Sequence, residues 1–201
     1  LPILRNPATM TIMAIMVLIN ITTMLTSNFF GLYITQDLGV AEPLVALFPI
    51  ARAIVMLAFL FTVQAAINRL PFKKPMLWGL ALYVVSMALL LLAPASHGHT
   101  LLCLGGYMLC EAFGYALLMP RKDSILVLFV DPQERARILG LLYVVMIGLS
   151  TPFGWIGGWL SGINRMLPFL LNIVLYVLVG VVIARSKPIA TDETAASGEA
   201  I

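Results

Sequence analysis

Residues 65–77 read AAINRLPFKKPML. Arg69, Lys73 and Lys74 stand there with Pro71 and Pro75 and no acid, between two runs too apolar for most water-soluble folds. Proline interrupts a helix and charge resists lipid, so the stretch reads as a short basic hairpin joining two membrane-crossing helices.

The rest of the 201-residue chain has the composition this reading requires: 61% hydrophobic residues, 10% charged residues and a mean hydropathy of +1.02. Such values belong to an integral membrane protein. Crossing about 30 Å of hydrocarbon takes roughly 20 residues of helix. Six apolar runs are long enough, near residues 9–34, 44–67, 76–94, 101–128, 136–160 and 167–184. A lone strand cannot satisfy its backbone in lipid, and the ten-residue alternation of a membrane barrel is missing, so each run is expected to be helical. The fold class is all-α, an integral membrane six-helix bundle over residues 9–187, with a linker at 1–8 and a disordered tail at 188–201.

Positive charge gives the orientation, because Lys and Arg collect in short cytoplasmic loops. With residue 1 inside, that side carries Arg5, Arg69, Lys73, Lys74, Arg121, Lys122, Arg135, Arg137, Arg185 and Lys187, against Arg165 alone outside. Both termini are therefore expected in the cytoplasm and the chain in the plasma (inner) membrane. The net charge of +3 reports this topology and gives no support to nucleic acid as a partner. The basic loops are also placed to touch anionic lipid. Cys103 and Cys110 lie seven apart on one helix, too far to pair, and read as small apolar fillers. The chain opens on LPILRNP without Met or a signal peptide, which reads as the middle of a longer protein.

Polarity is shared unequally. The third and sixth runs carry no charge and are expected to form an outer, lipid-exposed pair. The first holds Asn20, Thr23, Ser27 and Asn28, the second Arg52 and Gln64, the fourth Glu111, and the fifth Ser150, Thr151 and several glycines. Two polar helices followed by one apolar helix, twice over, make a three-plus-three pattern of inverted repeats.

GLYITQDLGVAEPLVALF (31–48) through NRLPFKKPMLWG (68–79) resembles the C-terminal half of a major facilitator superfamily transporter. The hairpin is similar to that family's loop motif G-x-L-x-D-R-x-G-R-K-P. Arg69, Lys73, Lys74 and Pro75 match in kind, while Asn68 replaces the acid, Pro71 replaces the second glycine, and one residue is inserted. LLMPRKDSILVLFVDPQERARILGLL (117–142) resembles the family's link between fourth and fifth helices. Within it, Asp131 as N-cap, Pro132 at the first position and Glu134 three residues after the cap predict a helix start near Pro132. The resemblance implies a secondary transporter working by alternating access. It also implies that the first, second, fourth and fifth helices line a cavity, and that the missing wall comes from an N-terminal six-helix half or a second copy of this chain.

Arg52 and Glu111 are the ionisable groups well inside the spans, and each costs about 2.5–3.5 kcal/mol at mid-bilayer on insertion scales. The helical rise puts them about 12 Å and about 15 Å below their outer helix starts, at similar depth. Asn28, Ser150 and Thr151 fall in the same layer. Tyr107, Glu111 and Tyr115 share one helix face at i, i+4 and i+8, and Asn20, Thr23 and Ser27 form a stripe on another. The functional reading makes Glu111 a proton-titrating or solute-contacting carboxylate, Arg52 its partner or an anion contact, and Asn20, Asn28, Tyr107 and Tyr115 further wall residues. The plainer reading is a static ion pair that fixes helix packing. Arg69, Lys73, Lys74, Asp131 and Arg135 are the candidate cytoplasmic gate and loop residues, whereas Arg121, Lys122 and Asp123 either line the cytoplasmic mouth or, the favoured reading, mark a helix end at the headgroups. GLSTPFGWIGGWLSG (148–162) suits close helix contact or a hinge.

His97 and His99 lack a third ligand and read as an exposed turn, and the 11 methionines as packing. No phosphate-binding loop, zinc-protease motif or nucleophile elbow supports an enzyme, and no cofactor is expected. The expected partners are the lipid bilayer, a small-molecule solute and protons. The alternative function is a membrane scaffold or assembly subunit that transports nothing, or a half-size homodimeric transporter.

Overall fold

The computed structural model describes residues 7–62, 73–93, 98–128 and 135–186. Six helices lie among them: α1 Pro7–Gln36, α2 Glu42–Thr62, α3 Lys73–Leu92, α4 Thr100–Leu128, α5 Arg135–Ile163 and α6 Leu167–Arg185. No strand occurs in the described residues, and all six helices are long and apolar enough to cross a membrane. The chain is the all-α six-helix bundle its hydropathy predicts. Residues 1–6, the apex of the basic hairpin with Arg69, the turn containing His97, the Asp131–Glu134 helix start and the tail beyond Ser186 lie outside the described residues.

The α1–α2 corner shows how the sequence ends a span. Gly39 at φ +65° takes a left-handed conformation, and Val40 N–H then returns to Ile34 O at 3.2 Å. Ala41 O next accepts from Leu44 and Val45 as α2 begins. On the α5–α6 side, Asn164 Oδ1 accepts from Met166 N–H at 2.9 Å and Pro168 follows in the first turn of α6.

The helices pack in a pattern that repeats. α1 rests on α6 and α5, α4 rests on α3 and α2, and α3 meets α6. Exchanging the first three helices for the last three leaves these principal pairings unchanged. Because each repeat has an odd number of spans, the second runs through the membrane upside down relative to the first.

One expectation changes. α3 and α6 are not the exposed pair: 44% and 39% of their membrane windows are buried within the chain, as for α1 and α4, against 6% for α2 and 17% for α5. The physical reason is that an apolar helix can face either lipid or a dry protein contact, and its composition does not distinguish them. Here the inner faces of α3 and α6 stack Tyr83 on Tyr176, with ring centroids 4.8 Å apart. Outward, Trp78 and Val174 still present apolar surface.

Candidate functional site

Where α1, α2 and α4 converge, toward the end at which α1 turns into α2, they leave a cavity of about 300 Å³. Each helix supplies residues at helical spacing: Thr26, Ser27 and Phe30 from α1; Val45, Phe48, Pro49 and Arg52 from α2; Tyr107, Met108 and Glu111 from α4. Phe30 joins the three helices. Its ring stacks on Tyr107 with centroids 5.0 Å apart and meets Phe48 edge-on at 5.6 Å. Pro49 has no N–H to give the carbonyl of Val45, so α2 lacks one internal hydrogen bond beside the cavity.

The ion pair closes the inner end of this space. Arg52 Nη1 donates to Glu111 Oε1 at 3.0 Å, and the Tyr115 ring centroid lies 5.2 Å from Arg52 Cζ. The two side chains are unequally covered, with 43% of Arg52 exposed and 7% of Glu111. A charge-assisted bond and an aromatic face thus orient a guanidinium that still reaches the cavity.

Of the other sequence-predicted residues, Tyr107 lies on the wall and Tyr115 behind Arg52. Asn20 is elsewhere, donating to Ser150 Oγ at 2.9 Å and tying α1 to α5. Asn28 is exposed and is not part of the wall. Thr23 and Thr151 turn their hydroxyls back to Ile19 O and Ile147 O, as helical threonines do in lipid. At the other end of the bundle, Lys73 Nζ donates to Ser186 O at 2.6 Å, fastening the start of α3 to the end of α6. Lys74 is exposed, and Arg135 opens α5. Arg69 and Asp131 lie outside the described residues. Arg121 is buried, unlike the headgroup-level helix end expected of it.

Sequence reasoning missed Phe30, Phe48, Pro49 and Met108. The signal was faint: Val45, Phe48, Pro49 and Arg52 fall on one face at i, i+3, i+4 and i+7. It also missed the buried Asn172 of the apolar α6, whose amide donates to Thr26 Oγ1 at 2.9 Å and to Thr22 O at 3.3 Å. Thr26 therefore links the cavity wall to the α1–α6 contact.

The family model described as Major Facilitator Superfamily matches residues 12–200, nearly the whole chain. No curated protein and no solved structure gives a match.

Proposed function

Because this chain belongs to the major facilitator superfamily, we propose that it is a six-helix half of a secondary transporter that moves a small solute by alternating access, coupled to protons. In this reading it forms the C-terminal half, and the cavity between α1, α2 and α4 is part of the solute path. The observation that carries it is the Arg52–Glu111 pair, 3.0 Å apart on the wall of a cavity of about 300 Å³. A pair that is partly exposed is also cheaper to separate than a fully buried one. Here Arg52 stays open to the cavity, and Glu111 is the carboxylate positioned to exchange a proton when the pair separates. The thinly covered faces of α2 and α5 supply a surface for the second half or a second copy, and Lys73 and Lys74, at the opposite end of the bundle, belong to the cytoplasmic gate.

Transport gives two readouts. In proteoliposomes of the full assembly, Glu111→Gln is expected to abolish proton-dependent flux while the protein remains folded. In membrane vesicles of both orientations, with Cys103 and Cys110 replaced by alanine, Ser27→Cys is expected to react with an impermeant maleimide from either face. Unchanged flux in both Glu111→Gln and Arg52→Gln would remove the pair from the path. Labelling from one face under every condition would leave a scaffold.

A further inference from the structure

Arg52 is incompletely used by its own protein. A guanidinium carries five N–H donors in one plane. Glu111 engages one nitrogen through one oxygen, at 3.0 Å, and Tyr115 covers a face. The remaining edge has no acceptor among the described residues, while 43% of the side chain is exposed. Glu111, which also lines the cavity, is exposed to only 7%. The guanidinium is the more exposed of the two.

The surroundings narrow the ligand further. Phe30, Phe48, Pro49 and Met108 make most of the wall apolar, and Thr26 and Ser27 add neutral hydroxyls. A sugar would find partners for its hydroxyls only at Thr26, Ser27, Tyr107 and the ion pair, against a wall that is otherwise apolar among the described residues. A cation at Glu111 would stand beside the Arg52 guanidinium, which already holds that carboxylate at 3.0 Å, and would meet its repulsion. A carboxylate matches the planar fork of a guanidinium with two parallel hydrogen bonds. Among the described residues Arg52 is the one cation lining the cavity, so a second negative charge on the ligand would face Glu111 without a counter-charge.

On the reading that this cavity is the solute site, we infer that its solute is an organic monocarboxylate with a small apolar or aromatic body: the carboxylate takes the free edge of Arg52, and the body lies against Phe30, Phe48 and Met108. Glu111 holds the guanidinium in place until the solute arrives and competes with it for the same charge.

The probes are benzoate, benzylamine and benzyl alcohol, which share a ring and differ in charge, measured by calorimetry on the whole protein in zwitterionic nanodiscs. Benzoate is expected to bind at least about tenfold more tightly than the other two, the worth of one charge-assisted hydrogen bond. Glu111→Gln should keep or tighten benzoate binding, and Arg52→Gln should abolish it. Should Arg52→Gln fold poorly, Arg52→Gln combined with Glu111→Gln removes both charges together and is expected to lose benzoate with its fold intact. Tighter binding of benzylamine, lost in Glu111→Gln, would overturn the anion while leaving the cavity a solute site. Benzoate binding that survives both Arg52 variants, or no binding of any probe, overturns the proposal. A further arm adds phosphatidylglycerol to the nanodiscs. Loss of benzoate binding there would make Arg52 a lipid-headgroup contact and overturn it too. One-sided labelling of Ser27→Cys would instead strike the transport reading itself, whatever the probes do.

Discussion

The two members of the ion pair are unequally exposed, 43% for Arg52 against 7% for Glu111, and this asymmetry sets what removing either one does to the fold. Arg52→Gln leaves a carboxylate with little access to water and without its counter-charge, a change that costs about 3–5 kcal/mol in buried pairs. Glu111→Gln leaves a guanidinium that can still turn toward water in the cavity, and its loss resembles that of a surface pair, about 1 kcal/mol or less. Unfolding midpoints in detergent should therefore fall clearly further for Arg52→Gln than for Glu111→Gln. Equal losses would mean that Arg52 is as enclosed as its partner. These two residues were legible in the sequence because a charge inside an apolar run has no neutral explanation. Phe30 and Phe48 were not, because an aromatic ring in an apolar helix looks the same whether it faces lipid, core or solute. Asn172 escaped for a related reason: one amide in a long aliphatic run hardly changes its hydropathy.

Helix positions followed from hydropathy almost directly, since the length of each apolar run is fixed by the bilayer. The contacts between helices did not, and the glycines show why. The stretch 148–162 invites a close crossing, yet within it Gly157 alone is tightly covered: a Cβ there would lie 2.6 Å from Leu25 Cδ2. Gly148, Gly158 and Gly162 have nothing within 4 Å. Among the described glycines, backbone meets backbone between α3 and α4, where a Cβ on Gly114 would come 3.0 Å from Gly79 O and one on Gly79 would come 3.1 Å from Gly114 O. Neither glycine stands out in sequence, because closeness depends on what the facing helix presents. Gly114→Val should therefore push α3 from α4 and destabilise the protein by about 1–3 kcal/mol, as overpacking does. Gly105→Ala on the same helix meets nothing within 4 Å and is expected to be neutral or slightly stabilising. Thermal unfolding of the two variants side by side checks this. A Gly114→Val protein as stable as Gly105→Ala would mean that the crossing is looser than these distances.

For the molecule as a whole, the three-plus-three polarity pattern is matched by the repeat in helix packing. Polarity says which helices cannot lie wholly in lipid; what those helices face instead it leaves open. α2 carries Arg52 yet buries only 6% of its window within the chain, and α5 buries 17%. On α5 the uncovered Gly148, Gly158 and Gly162 would let another helix backbone approach, which lipid tails do not require. If a second six-helix body covers these two helices, positions equally exposed in this chain should differ in the membrane. Ile54 on α2 is 62% exposed, Ile147 on α5 64% and Val174 on α6 61%. Nitroxides placed at these positions, one at a time, in the assembly purified from native membranes should report different access to oxygen, which concentrates in lipid. Low access is expected at Ile54 and Ile147 and high access at Val174. The comparison is internal, because all three side chains are apolar and start from nearly the same exposure. High access at all three would place α2 and α5 against lipid, and the cavity would then have no opposing wall against which to alternate.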